Sequence, residues 1–167
     1  MAGNKYMELV GGKKQLKAAN DVSAGVADSG KVVALNAAGK IDPSMLTDQD
    51  VSNVEAFENL AAGDYVNLFL DGGVIKARLA DNSNDRPAHG YVDDTVTAAS
   101  NVNVFFEGSN TNLSGLTIGT RQFLGTVGQT ISTPLDPTVV TGDLHQLLGI
   151  AISATEINTD IQDCIVL

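Results

Sequence analysis

Residues 64–80 decide the fold, because they read DYVNLFLDGGVIKARLA and alternate apolar with polar side chains on both sides of a glycine turn. Successive side chains of a strand point to opposite faces, so Val66, Leu68 and Leu70 share one face. The turn Asp71-Gly72-Gly73 follows, and the next residues alternate again, with Ile75, Ala77 and Leu79 set against Val74, Lys76, Arg78 and Ala80. The stretch predicts an antiparallel β-hairpin with one solvated face.

Short strands continue from this hairpin to the last residue. The same alternation and turn residues predict strands at 89–92, 101–107, 121–124, 130–133, 147–154 and 161–167. Many short strands separated by turns are typical of a β-sandwich or a closed barrel, which protects strand edges from other chains. We therefore predict an all-β fold, a small antiparallel β-barrel or sandwich over residues 48–167.

The first 47 residues differ from the rest in composition. Residues 1–20 are polar, lysine-rich and without a sustained period of 2 or 3.6, which predicts an extended N-terminal arm. Residues 30–42, GKVVALNAAGKID, place the turn formers Asn36 and Gly39 between two apolar pieces, which predicts a β-hairpin linker. Pro43 excludes a continuing central strand. The predicted organisation is an arm and linker over 1–47 and a β-domain over 48–167.

Residues 48–62 allow two interpretations. Val54, Phe57 and Leu60 are spaced by three residues, and Asp50 and Ser52 could cap a short helix. A strand or loop leading into Ala61-Ala62-Gly63-Asp64 fits the same residues equally well.

Charge is distributed unevenly along the chain. The formal net charge is −10, which argues against a nucleic-acid partner, since binding phosphates requires cations. Residues 1–40 carry six lysines against three acids, whereas the remainder carries four basic residues against 17 acids. A basic leading segment on an acidic body fits an arm that docks on an acidic protein surface, and a solvated charge fluctuation fits it equally well.

Cysteine content and hydropathy indicate which covalent cross-links, metal sites and cellular locations to expect. The single cysteine, Cys164, excludes an intramolecular disulfide and a cluster of cysteine metal ligands. No apolar run suits a signal peptide or a membrane span, so we expect a protein that stays in the cytoplasm where it is made until it joins an assembly, without a membrane partner.

Candidate chemical groups are sparse. His89 and His145 could meet Cys164 in space, but Cys164 lies in an apolar strand where a small buried residue is expected. Residues 81–85, DNSND, have alternating oxygen ligands, but Arg86 and Val92 stand where a calcium loop needs glycine and glutamate, so a turn is favoured over an ion site. Residues 110–119 are rich in Thr, Ser and Asn and could contact a glycan, although hydrogen-bonded turns explain them too. We predict no catalytic, cofactor or metal site.

Several segments resemble modules of virion proteins from tailed bacteriophages. Residues 30–42 resemble a linker of phage fibre and decoration proteins. The segments 86–92 (RPAHGYV), 102–108 (VNVFFEG), 113–117 (LSGLT) and 149–155 (GIAISAT) resemble the β-domain of phage head decoration (cement) proteins, head fibres and some tail fibres. The resemblance covers residues 60–167 and 30–46, and Ile118 departs from it, where such modules usually have proline before Gly119.

The resemblance implies a trimer or similar oligomer fixed to the virion, without cofactor or catalytic residues. The preferred hypothesis is a capsid decoration protein on the outside of a phage head, with the major capsid protein and itself as partners. Its arm would contact the capsid through lysines and apolar anchors, namely Lys5, Lys13, Lys14, Lys17, Tyr6, Met7, Leu9 and Val10. The alternative is a tail-fibre or adaptor protein that binds a host receptor, with surface glycans as its ligand.

Overall fold

The computed structural model describes residues 5–37, 39–41, 45 and 51–167. The chain divides into two compact units, Met1–Asp48 and Gln49–Leu167. Apart from a short 3-10 helix at Gly25–Asp28, the regular structure of the described residues is β. The all-β prediction is therefore confirmed.

A closed barrel of five strands forms the first half of the larger unit. Its strands are β3 (Val51–Ala56), β4 (Tyr65–Asp71), β5 (Val74–Leu79), β6 (Gly90–Val92) and β7 (Asn101–Phe105). They neighbour one another in the order β3-β5-β4-β6-β7, and β7 pairs with β3 to close the barrel. The strand pairs are antiparallel except β3 with β5, which is parallel. The barrel, predicted as antiparallel, therefore contains one parallel strand pair.

The β4–β5 hairpin forms as the alternation predicts. Asp71 pairs with Val74, so Gly72 and Gly73 are the two loop residues, with φ of 58° and 89°. Glycine adopts this left-handed backbone without steric cost, which suits a two-residue loop between twisted strands. On the outer side, the Arg78 guanidinium carbon lies 4.2 Å from the centre of the Phe69 ring.

Inward side chains of the barrel strands make a compact aliphatic core. Small and β-branched residues fill it because five strands enclose a narrow interior. Leu68, Leu79, Val96 and Phe106 pack at its margin. The buried members are Val54, Ala56, Leu60, Val66, Ala77, Val92, Val102 and Val104.

A second antiparallel sheet follows the barrel in sequence. It comprises β8 (Gly108–Asn110), β9 (Arg121–Leu124), β10 (Thr130–Ile131), β12 (Leu147–Ala151) and β13 (Ile157–Thr159), in the order β10-β9-β12-β13-β8. The register of β12 against β9 shifts between Leu147 and Gly149. A further pair joins β11 (Leu144–His145) to β14 (Ile165–Val166).

Barrel residues that point outward build a second core with this sheet. Tyr65 and Tyr91 alternate with the inward residues Val66 and Val92, and both tyrosines are buried. They pack in one cluster with Ala80, Ala88, Leu124 and Leu148, and Phe105 and Ile161 lie against it. Strands β4 and β6 are therefore buried on both faces where these residues lie, which explains their nearly continuous apolar sequence.

The smaller unit begins with a hairpin of β1 (Lys5–Val10) and β2 (Lys13–Ala18), joined by Gly11 and Gly12. The following segment folds back on it, because Asn20 forms a parallel bridge with Val33. Between them, Lys31 contacts Asp28, the last residue of the 3-10 helix, at 2.6 Å and lowers the pKa of that carboxyl to about 2.

Two expectations need correction. The arm does not lack regular structure, because residues 5–18 pair as strands. The prediction of a linker hairpin is wrong within the described residues 30–37 and 39–41. The turn forms, since the Asn36 amide donates to the carbonyl of Lys40 at 2.8 Å, but no strand flanks it. Val33 forms a β-bridge with Asn20, through hydrogen bonds of its neighbours Val32 and Ala34, instead of pairing within the linker. Asp42 and Pro43 lie outside the described residues. Of the two interpretations left open for residues 48–62, the structure shows the strand, at Val51–Ala56.

Candidate functional site

The β1–β2 hairpin sorts its side chains onto two different faces. Residues directly opposite in an antiparallel pair project on the same side, and Met7 pairs with Leu16 while Leu9 pairs with Lys14. One face, here called the apolar face, carries Lys5, Met7, Leu9, Lys14, Leu16 and Ala18. The opposite face carries Tyr6, Glu8, Val10, Lys13, Gln15 and Lys17.

The apolar face is exposed. Met7 and Leu9 are each 69% exposed, and Leu16 is 64% exposed. The opposite face lies beside Ser29, Gly30 and Lys31, which line a shallow cavity of about 410 Å³ with residues of β1 and β2. A two-stranded hairpin is marginally stable in water, so covering its apolar side chains with another surface would stabilise it.

Lysines flank the exposed apolar side chains. The hairpin contains four lysines and one acid, Glu8. Lys17 lies 3.6 Å from Glu8, and both belong to the opposite face. Lys5 and Lys14 lie on the apolar face, where the register places no acidic side chain. The apolar face therefore combines hydrophobic surface with two positive charges, a combination that suits an acidic protein surface with apolar contacts.

His89 and Cys164 line a common cleft of about 490 Å³. The backbone N–H of Leu68 donates to His89 Nδ1 at 2.9 Å, so the proton of the neutral ring sits on Nε2. A ring whose two nitrogens are occupied in this way has no lone pair left to take a thiol proton. Burial lowers the pKa of His89, which further favours this neutral form. His145 lies elsewhere, stacked on Phe123 with ring centres 4.8 Å apart.

The DNSND segment forms a tight loop held by its own side chains. Asp81 Oδ1 accepts from the Ser83 amide at 2.9 Å and from the Ser83 hydroxyl at 2.8 Å, and Oδ2 accepts from Asn84 at 2.9 Å. The backbones of Asp81 and Arg86 bridge the two ends. The carboxylate thus performs the turn-forming role that the sequence favoured. In the described part of the chain, no three His, Cys, Asp or Glu side chains are grouped as metal ligands would be.

A polar pocket of about 290 Å³ opens in the larger unit. Residues 112–117, from the Thr/Ser/Asn-rich segment, form one wall, and Asp64, Gln122 and Gln129 are among the other lining residues. No pattern in the sequence connects these distant residues, because strand pairing brings them together. Among the residues described, no helix is long and apolar enough to cross a membrane.

Comparison with known proteins finds similarity in structure but not in sequence. No protein-family model matches the chain, and no curated protein sequence matches it. Among solved structures, the chain is similar to the N base of the head fiber protein gp8.5 of bacteriophage phi29. The two share 14% identity with a TM-score of 0.46, over 70% of this chain and 92% of that one.

The hairpin divides the eight predicted arm residues between its two faces. Lys5, Met7, Leu9 and Lys14 lie on the apolar face, whereas Tyr6, Val10, Lys13 and Lys17 lie on the opposite face. Leu16 and Ala18 complete the apolar face, and the sequence prediction omitted both. Leu16 and Ala18 are two residues apart and follow the Gly11-Gly12 turn, and this spacing is the sequence pattern that would have indicated them.

Proposed function

We propose that the protein is a structural component of a tailed-bacteriophage particle, a head decoration or head-fibre type protein that performs no catalysis. Its hairpin attaches to the major capsid protein on the outside of the head, and its β-domain associates with other copies, as a homotrimer. The protein thus works at the capsid surface after synthesis in the host cytoplasm.

The observation that carries this proposal is the exposed apolar face of the hairpin with its flanking lysines. Met7, Leu9 and Leu16 form a cross-strand cluster in which each side chain is more than 60% exposed. Such a face gains stability by docking, and Lys5 and Lys14 direct it toward an acidic surface. The resemblance of the linker and β-domain segments to phage virion modules supports a capsid as that surface.

Self-association has its own support at the tip of the β4–β5 hairpin. Leu70 and Ile75 pair across the two strands. They share a face with Val66 and Leu79, which pack in the barrel core further from the turn. At the tip they are exposed, as is the adjacent Val74. A second copy of the chain is the partner we propose for this apolar tip, since obligate contacts between copies are rich in apolar residues.

Co-sedimentation with capsids that lack the protein tests the attachment. The full chain is expected to sediment with heads, and a Leu9→Ser, Leu16→Ser double variant is expected to stay in solution. Val10→Ser is the matched control, because Val10 lies on the opposite face, and it is expected to bind as the unchanged chain does. Equal binding by the double variant would reject the apolar face as the attachment site, and sedimentation with tails alone would favour the tail adaptor instead.

Sedimentation velocity of the purified chain tests the oligomer. We expect three copies of the 17.3 kDa chain, and dissociation on changing Leu70 and Ile75 to serine. Ile118→Ser is the control, since Ile118 is also exposed but lies away from this tip. A monomeric unchanged chain, or a trimer that survives the double change, would contradict self-association through the tip.

A further inference from the structure

We propose that the polar pocket of the larger unit binds a single neutral sugar ring. The pocket holds about 290 Å³, at the small end of the range for ligand sites, which suits one ring. Hydroxyl and amide side chains dominate its lining. They are Asn112, Ser114, Thr117, Gln122, Gln129, Thr130 and Ser132, together with the carboxylate of Asp64.

Asp64 is a fixed acceptor in this pocket. It is 7% exposed, and its two oxygens accept from the Ala61 amide at 2.8 Å and from Gln129 Nε2 at 3.1 Å. Each carboxylate oxygen has a second lone pair, which remains available to a ligand hydroxyl. A carboxylate held in place and mostly removed from water makes strong, directional hydrogen bonds with such donors.

Gln122 supplies a second buried polar group. Its side chain is 2% exposed, and its Nε2 donates to Thr120 Oγ1 at 2.7 Å. The Thr120 hydroxyl in turn donates to the carbonyl of Thr117 at 2.6 Å, which fixes the direction of the chain of hydrogen bonds. Gln122 Oε1 accepts no hydrogen bond from the residues that the structure describes. This amide oxygen is therefore free to accept a hydrogen bond from a ligand hydroxyl in the pocket that Gln122 lines.

The lining selects against other ligand classes. It contains no Lys, Arg or His, so nothing compensates the charge of an anion. One carboxylate is a poor ligand set for a divalent cation, which prefers several oxygen anions. The polar lining gives an apolar molecule little to contact. A sugar hydroxyl both donates and accepts, as the hydroxyl and amide lining requires, and Leu113 and Leu116 offer apolar surface to the C–H groups of the ring.

Backbone contacts hold the pocket wall in position before a ligand arrives. The amides of Leu113 and Leu116 donate to the carbonyls of Thr155 and Ala154. Gly63 lies so close to this wall that a Cβ there would be 2.5 Å from the carbonyl oxygen of Asn112. A preformed wall lowers the entropic cost of binding. No aromatic ring lines the pocket, so we expect a weak complex with a roughly millimolar dissociation constant.

This inference stands apart from capsid attachment, because the pocket and the hairpin share no residue. A protein that lost sugar binding would still sediment with heads, and a hairpin variant would still bind sugar. The two proposals therefore fail separately.

NMR titration of the full ¹⁵N-labelled chain tests the proposal directly. The probes are D-glucose, D-galactose, N-acetyl-D-glucosamine and L-rhamnose at millimolar concentrations, with glycerol and sodium sulfate as controls. We expect saturable shifts from at least one sugar in the amides of 61–64, 112–117, 122 and 129–132. Absence of localised shifts with all four sugars overturns the proposal, as does an equal response to glycerol or a response to sulfate alone.

Two variants test whether the sugar binds in the pocket. Ser114→Phe and Ser132→Phe each place an aromatic ring at a lining position in a different segment of the chain, and each is expected to weaken sugar binding at least tenfold. Both positions are exposed, so the fold should tolerate the change, and the amide spectrum reports whether it does. Ser109→Phe, exposed and outside the pocket, is the matched control and should leave the titration unchanged. Unaltered binding by both pocket variants would overturn the assignment.

Discussion

The phenol oxygen of Tyr65 lies 3.2 Å from the hydroxyl oxygen of Thr159, and both side chains are buried. Tyr65 belongs to β4 of the barrel and Thr159 to β13 of the second sheet. Burial raises the pKa of Tyr65 to about 12, although hydrogen bonds to the phenol oppose this. This hydrogen bond therefore joins β4 to β13 within a water-poor region.

Removing either hydroxyl should destabilise the larger unit. Tyr65→Phe and Thr159→Val are each expected to lower the free energy of unfolding by about 1–2 kcal/mol, because each leaves the other hydroxyl buried without this partner. The double variant should lose less than the sum of the two single losses, since it leaves neither hydroxyl behind. Urea unfolding of the three variants measures this, and additive losses would contradict the coupling.

Gly149 occupies a position that no larger residue fits. A Cβ there would lie 2.2 Å from the carbonyl oxygen of Asn158, and φ is 151°. Gly149→Ala is expected to cost about 3 kcal/mol or more, because the backbone of β13 would have to move. Gly142→Ala is the control, since its φ of 88° carries the left-handed cost of about 1–2 kcal/mol without a clash. Similar melting temperatures for the two variants would contradict this account.

Acid should destabilise the protein through His89. Burial holds the pKa of this ring below its ordinary 6.5, and protonation of Nδ1 would break its hydrogen bond from Leu68. Below pH 6.5 the unfolded chain takes up a proton that the folded chain does not, so the free energy of unfolding falls with pH. The fall is at most about 1.4 kcal/mol per pH unit and ends once the folded-state pKa is passed.

His89→Gln isolates this contribution. Glutamine keeps an acceptor for the Leu68 amide but cannot take a proton, so its unfolding free energy should fall less between pH 7 and pH 5 than that of the unchanged chain. Urea unfolding at the two pH values provides the comparison. Parallel pH profiles of the two proteins would show that His89 is not the source.

Local pattern predicted the barrel hairpin and left open whether the strands close into a barrel or pack as a sandwich. In β4 and β5 the alternation and the Gly72-Gly73 turn act together, and both are visible in the sequence. In β3, the spacing of Val54, Phe57 and Leu60 imitates a helix because the chain leaves the strand after Ala56. Only pairing with β5 and β7, which are distant in sequence, selects the extended form.

The remaining differences have the same origin. Strands β8, β11 and β13 have two or three residues each, too few to show a period. The hairpin of β1 and β2 was missed because lysines interrupt its apolar face. Neither strand therefore shows the apolar–polar alternation that is typical of a half-buried strand. The polar pocket could not be predicted either. Asp64 lies in the loop before β4 and Gln122 lies in β9, and they line one pocket only because the barrel packs on the second sheet.

Capsid binding should depend on salt through the lysines of the apolar face. Lys14 shares that face with Leu9 and Leu16, whereas Lys17 lies on the other and pairs with Glu8. Lys14→Gln is expected to weaken binding to heads by about twofold to fivefold at low salt, the range of one exposed charge pair. The loss should shrink as salt rises, because added ions screen such pairs. Lys17→Gln is the matched control and should bind as the unchanged chain does. Co-sedimentation across a salt series distinguishes the two lysines, and an equal loss in both variants would mean that net charge, not the apolar face, directs attachment.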